Sequence, residues 1–490
     1  TYEKESELLL ELFWQFSYSP DAQITILERL YNHHVKNKSM YEASCVSIMQ
    51  AAILFENWTV YRRIPNYFIL AHPCLVFSEI CGFCDQLKVS ESYQKDPPFI
   101  PGLCDSSTFN EQGFLSLLYR VFTDCEKHKL YNFSTVLLDL CWPIFEYWHS
   151  FNELQFMFSN YHTTFSAMVE DSEGQDVFTD RFFRVTLFGD RLGESNGKMF
   201  IYRQKPLTHL YDFTNTLVSQ YKEMYGNDDV VQISESGKID TTKLDLVHKI
   251  YIQITFVEPY LQDDDDDDVE VEAANNCYQK FFFETPFVKN EDDNTVNVKS
   301  QQASMEKQWI RKTILTTDFK LPSVLLRSEI NPSKIVEKDL EPIKVVCQQI
   351  LDRTVLLEKA LESKDAMKMQ QLLHGSLLVQ VNEGPGKMAD VFLSTENNKN
   401  VKKKENVNSR PHDKLREAFV KFMRQIRKGV VFHKELAIQN PEFGPLQEEL
   451  EAGYDNLKNK LVPLCITHNA KNPSQTVTPD IKSIDSIATV

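Results

Sequence analysis

Glycine is scarce in this chain, 15 of 490 residues, which argues against a loop-rich architecture and for buried helices. Basic charge is short as well: 53 Lys and Arg stand against 70 Asp and Glu, a net −17. That balance argues against a nucleic-acid binder, since neutralising phosphates needs a basic surface. No apolar run is long enough to cross a bilayer, and the opening TYEKESELLLELFWQF is acidic rather than signal-like. A soluble, cytoplasmic chain without direct membrane insertion is the expectation. The ten cysteines follow no spacing framework, as expected of reduced thiols.

One cluster, HPCLVFSEICGFC, brings His72, Cys74, Cys81 and Cys84 close in sequence. Cys81 and Cys84 have the C-x-x-C spacing of a zinc or redox pair, but a second pair is missing, and Cys74 and Cys81 fall on one face of a helix. Core cysteines are the reading, with no metal site. The sequons at Asn57 and Asn132 carry no meaning in a cytosolic chain. Also absent are a G-x-x-x-x-G-K-[ST] phosphate loop, a G-x-S-x-G elbow, an H-E-x-x-H pair and a G-x-G-x-x-G turn. The pair His33–His34 has no companion carboxylate or cysteine in sequence. A chain with this much core and no reactive site works by binding, with no cofactor of its own.

What is present is an aromatic-rich chain, with 33 Phe and 19 Tyr, and enough length for two to four packed units. The fold class is mainly α with an α+β middle, in three lobes. Residues 1–175 read as helix after helix; SPDAQITILERLYNHHVKNKS starts on Ser19, Pro20 and Asp21 and carries Ile24, Leu27, Leu30 and Tyr31 at helical spacing. A second pair of helices turns near Trp148 and His149. Residues 176–332 change to β-rich runs such as FFRVTLFG, KMFIYRQ and KIYIQITFVEPY, interrupted by one helix that Gly226 stops. Short turns without helical crossovers imply a mainly antiparallel sheet. The run Asp263–Asp268 lacks the alternating ligands and central glycine of a calcium loop and reads as a solvated hairpin loop.

Residues 333–462 return to helix as a small bundle. Ile343, Cys347, Ile350, Thr354, Leu357 and Leu361 form a 4-3-4-3 seam, and Leu415, Phe419, Phe422 and Ile426 the buried face of a later helix. Lys414, Arg416, Lys421, Arg424, Arg427 and Lys428 decorate the rest of that helix; a solvated face is the reading, with an acidic partner or a lipid as the alternative. Residues 466–490 are polar and aperiodic, a disordered tail. Between the two helices sits LLHGSLLVQVNEGPGKMADVFL, an apolar, β-branched run punctuated by Gly and Pro where a plain connector would be polar.

Seven stretches in register, FFRVTLFG, IYRQKPLTHL, YIQITFVEPY, FFFETPF, RKTILTT, LEPIKVV and HGSLLVQVNEGPGKMADVFL, resemble the catalytic DOCKER region of DOCK-family guanine nucleotide exchange factors. The form VQVNEGP is most similar to the zizimin and zizimin-related branches. The resemblance implies a homodimer, often through the helical lobe, and exchange on a Rho-family small GTPase of Rac or Cdc type. It implies a helix interrupted by an exchange loop, residues 375–386, that carries an alkyl side chain to the magnesium and GDP of the partner. By register Val381 takes that role, with Val379 as the alternative; Gln380, Asn382, Gly384 and Pro385 belong to the loop, and Gly375 lets the helix break. Leu340, Glu341 and Pro342 are carried over as GTPase-binding. The family commonly has a small or uncharged residue at the position of Glu341, and bulkier or more apolar ones at Gly386 and Lys387. Gln253, Thr255, Arg311 and Thr316 are candidates for the rest of the groove, and equally ordinary sheet positions. Recruitment to the plasma membrane is assigned to regions outside the chain. The alternative is a helical scaffold that has kept the fold and lost exchange activity.

Overall fold

The computed structural model describes residues 2–60, 104, 106–128, 130–173, 180–235, 237–260, 278–288, 305–378, 384–394, 410–439 and 444–466. It is mainly helical with a sheet in the middle, as the sequence pattern implies. Cysteines 74, 81 and 84, the Asp263–Asp268 run and residues 467–490 lie outside the described residues; the last helix reaches Ile466. The chain divides into two compact units: residues 1–283 with 313–336, and residues 284–312 with 337–490.

The first unit opens with helices α1 (Tyr2–Gln15), α2 (Pro20–Lys36) and α3 (Met40–Val60). Ser19 caps α2, its Oγ accepting the Ala22 N–H at 3.5 Å, and Pro20 fills the first turn. α3 is apolar on nearly every side and buried from Glu42 to Phe55, so it forms the centre of this core. α4 (Glu111–Lys127) packs on it, α5 (Tyr131–Tyr147) on α4, and α6 (Phe151–Glu173) on α5. Phe13, Leu27, Leu30, Phe114 and Phe122 belong to the same cluster. The α5–α6 turn sits at Trp148 and His149, the latter at φ +54°, where the sequence pattern puts it.

The sheet follows: β1 (Arg181–Phe188), β2 (Met199–Gln204), β3 (Val230–Ile233), β4 (Ile250–Pro259), β5 (Tyr278–Val288), β6 (Gln308–Leu321), β7 (Arg327–Glu329) and β8 (Val336–Leu340). Its order is β7-β2-β1-β4-β5-β6-β8, with β3 parallel to β4. The β1–β2, β1–β4, β2–β7 and β4–β5 pairs are antiparallel. One face, with Phe183, Val185, Ile252 and Ile254, packs on α7 (Leu210–Tyr225) through Phe213 and Leu217. Gly226 ends α7 at φ +111°, its N–H on the Lys222 carbonyl.

Two buried arginines join the sheet to the helices of the same unit. Arg203 in β2 is held by Asp180 at 2.7 Å and by Glu42 of α3 at 3.0 Å, with side chains 7% and 3% exposed for the latter pair. Burial alone would lower the guanidinium pKa; the two carboxylates outweigh it and keep the charge fixed. Arg327 in β7 donates to Glu7 of α1 at 2.7 Å and to Tyr202 Oη at 2.9 Å.

The second unit is the bundle: α8 (Pro342–Glu362), α9 (Ala366–Leu377), α10 (Pro385–Leu393), α11 (Arg410–Gln439) and α12 (Gly444–Ile466). α11 is its axis. Leu415, Phe419, Phe422 and Ile426 are fully buried, and Ile350, Thr354 and Leu357 of α8 face them, with Ile343, Cys347 and Leu361 at the margin of the same core.

Candidate functional site

The site is the place in the bundle where helix stops and restarts between α9 and α10. α9 begins on Asp365, whose Oδ1 accepts the Lys368 N–H at 3.0 Å. Met369, Leu373 and Leu377, four residues apart, form its buried face. The expected break at Gly375 is not there. The helix runs through it to Leu377, and the Leu378 N–H still reaches the His374 carbonyl. The apolar face keeps its period past the glycine, because Leu373 and Leu377 are both buried while Gly375 is exposed. The restart is sharper: Gly384 is the N-cap of α10 and Pro385 its first residue, where the missing N–H and fixed φ of proline cost nothing. The Gly384 carbonyl accepts from Lys387 and Met388. Helical backbone therefore occupies both ends of the span 375–386, leaving 378–384 between the two helices.

Both ends rest on one face of α12. A Cβ on Gly453 would come within 3.1 Å of Leu377 Cβ and 3.3 Å of Leu378 Cδ2, so the end of α9 lies against bare backbone. At the other end, a Cβ on Gly386 would meet Lys460 at 3.4 Å and Leu457 at 3.6 Å, and Lys460 Nζ pairs with Asp390 at 2.5 Å. Gly453, Leu457 and Lys460 are spaced i, i+4, i+7, one stripe of a helix spanning about 10 Å. The departure and the return of the chain are thus fixed by the same rigid element. Val379, Gln380, Val381 and Asn382 lie outside the described residues.

Leu340, Glu341 and Pro342 stand where β8 hands over to α8. Pro342 is buried at the first helical position, while Glu341 occupies the N-cap without a side-chain capping bond and faces Lys344 at 3.5 Å. β8 is exposed from Val336 to Asp339. Arg311 on β6 spans it, with Asp339 at 2.8 Å and Glu337 at 3.3 Å, and lies over the Phe287 ring. The hydrogen bond to Asp339 raises its pKa first of all, so Arg311 braces the strand that leads into Leu340.

The other groove candidates have work inside the fold. Gln253 is buried and donates through Nε2 to the Glu235 and Gly237 carbonyls at 2.6 and 2.8 Å. Thr255 is buried and accepts from Arg184 at 2.9 Å. Thr316 is half-buried, and its carbonyl accepts the Asn331 N–H. Gly453 is the residue that pattern reading missed; a glycine inside the helical stretch EELEAGYDNLKNKL was the available signal. Among the described residues no group of three or more His, Cys, Asp or Glu is placed to hold a metal ion, and no helix is long and apolar enough to cross a membrane.

Three family models match the chain: "DHR-2, Lobe A" over residues 7–170, "DHR-2, Lobe B" over 236–320 and "DHR-2, Lobe C" over 356–464. Among curated proteins, dedicator of cytokinesis protein 8 of Homo sapiens is 28% identical over 471 residues, covering 94% of this chain and 21% of its own length. Dedicator of cytokinesis protein 7 of Homo sapiens is 28% identical over 475 residues with the same coverage. Protein 6 of Mus musculus is 26% identical over 472 residues, 94% of this chain and 22% of its own. The chain spans about a fifth of the length of these relatives.

Proposed function

Since this chain belongs to the DHR-2 family, with matches to lobes A, B and C in order, we propose that it is a guanine nucleotide exchange region acting on a Rho-family small GTPase of Rac or Cdc type. The observation that carries the reading is the shared footing of the α9 end and the α10 start on Gly453, Leu457 and Lys460. One helix that holds both ends sets where the chain leaves the bundle and where it returns.

The partner's nucleotide is retained through magnesium, which takes oxygen ligands at about 2.0–2.1 Å. Val381, by its register with the family motif, brings a branched alkyl group to that position, with Val379 as the alternative. It offers the ion no ligand, and its few rotamers keep it from being pushed aside. GDP then leaves because the chain binds the nucleotide-free partner more tightly than the loaded one. Leu340, Glu341 and Pro342 meet the same partner beside the bundle. We draw the branch, zizimin or zizimin-related, from the form VQVNEGP. The chain is cytoplasmic in this reading, with regions outside it bringing it to the plasma membrane.

We assign dimerisation to α5 and α6. Phe151, Phe158 and Phe165 recur every seven residues on α6 and are 73%, 49% and 49% exposed; Trp142 of α5 packs edge-on against Phe158. An aromatic row of this size left in water marks an interface.

Release of a fluorescent GDP analogue from a panel of Rho GTPases tests the proposal. Acceleration of at least one member is expected. No acceleration of any of them, with binding retained, would identify a scaffold instead.

A further inference from the structure

α11 carries a row of cations along its solvent side. Lys414, Lys421 and Lys428 are exposed and Arg424 is half-buried. Their spacing puts them on one face over roughly 20 Å of helix. The opposite face is committed to the core through Leu415, Phe419, Phe422 and Ile426, so the row cannot turn inward.

Among the described residues none of the four is in an ion pair, whereas their neighbours are occupied. Arg416 pairs with Asp413 at 2.8 Å, Lys434 with Glu451 at 3.2 Å, and Arg427 lies over the Tyr454 ring. Along residues 413–428 of α11 two carboxylates, Asp413, taken up by Arg416, and Glu417, stand against the four cations, and Glu358 of α8 accepts from the adjacent Gln425 at 2.7 Å. Further along, the row continues as Val431 and Ile438, 40% and 76% exposed, with Glu435 between them. The whole protein is at −17, so the sign of this face opposes that of the bulk.

We propose that this row is a docking surface for an anionic membrane. It is a straight row rather than a pocket, and three of its four cations are lysines. Compact ammonium charges suit a diffuse layer of phosphate and carboxylate headgroups, whereas a fixed carboxylate or phosphate partner favours the forked geometry of arginine. Val431 and Ile438, in line with the cations, give the interface an apolar contact. The acidic remainder of the molecule is repelled by the same surface and turns this face toward it. Membrane contact then has a source within the chain itself, beyond any region outside it.

Flotation with vesicles of phosphatidylcholine, with and without phosphatidylserine, tests this on the full chain. Binding is expected only with phosphatidylserine, and lost as salt is raised. The double variant Lys421→Glu/Lys428→Glu lowers vesicle affinity by about tenfold or more, and Lys421→Gln/Lys428→Gln by less. Thermal melts of both variants matching the parent confirm folding, and the neutral pair alone decides if the reversed pair fails to fold. Absence of binding, equal binding to phosphatidylcholine alone, or binding unchanged in the variants overturns the proposal. So does capture of polyglutamate by a protein that ignores the vesicles, which would assign the row to an acidic peptide.

Discussion

Gly453 lies so close to Leu377 that a methyl group on it would sit 3.1 Å from the Leu377 Cβ and 3.4 Å from its carbonyl oxygen. Neither atom is the free end of a flexible side chain, so a methyl there must move the end of α9. Gly429 of α11 offers the contrast. Its added Cβ would meet Met369 Sδ at 2.8 Å and Leu373 Cδ2 at 3.1 Å, both of which can swing away. Alanine at either site gains about 0.5–1 kcal/mol of helix propensity. Gly429→Ala is expected to leave melting temperature and exchange rate nearly unchanged. Gly453→Ala is expected to slow GDP release several-fold at nearly constant melting temperature, since propensity and displacement offset each other. Equal effects of the two substitutions on release would remove α12 from the account.

Arg203 is the second test, and it concerns stability. Its partner Glu42 is 3% exposed, so Arg203→Met leaves a buried carboxylate without its cation. Breaking such a pair costs about 3–5 kcal/mol. Urea denaturation reads this directly. Lys243→Ala, which removes an exposed i,i+3 pair with Asp240, serves as the control and is expected to leave the midpoint in place.

Local pattern made much of the fold legible. Ser19 before Pro20, Gly226 after α7, and the spacing of Leu415, Phe419, Phe422 and Ile426 each place an element by chemistry that acts within a few residues. Gly375 misled for the same reason. Its low helix propensity is a local signal, and the burial of Leu373 and Leu377 on either side overrides it. Arg327 and Glu7 are separated by 320 positions, and no periodicity links them. Gln253 and Thr255 stood equally as groove candidates and as ordinary sheet positions; their partners at Glu235, Gly237 and Arg184 exist only once the sheet is folded. At the candidate site, proline at Pro385 and Pro342 was readable, while the closeness of Gly453 to Leu377 depends on a helix far along the chain.

His34 gives a pH signature. It is fully buried, donates from Nε2 to the Val324 carbonyl at 2.9 Å and accepts the Tyr2 hydroxyl at Nδ1 at 2.6 Å. Burial lowers its pKa to about 4, with the Val324 carbonyl opposing and His33 adding a smaller push downward. The neutral form is therefore the folded form. Stability from this site is complete above the unfolded value of about 6.5 and is lost as pH falls toward 4, amounting to about 3 kcal/mol. Replacement His34→Gln is expected to flatten the stability profile between those values; an unchanged slope would show that other groups set it.

The aromatic row of α6 predicts an association. Phe151→Glu/Phe158→Glu is expected to convert a dimer to a monomer in sedimentation equilibrium without loss of helical signal. A parent chain that is monomeric at every concentration contradicts the assignment.

The most direct test of the exchange proposal is Val381→Ala, measured two ways on the same GTPase: the rate of GDP release, and the affinity for the nucleotide-free form. The account predicts a large loss of rate with affinity nearly kept, and a variant more sensitive to added magnesium than the parent. A parallel loss of rate and affinity, with magnesium sensitivity unchanged, would contradict it.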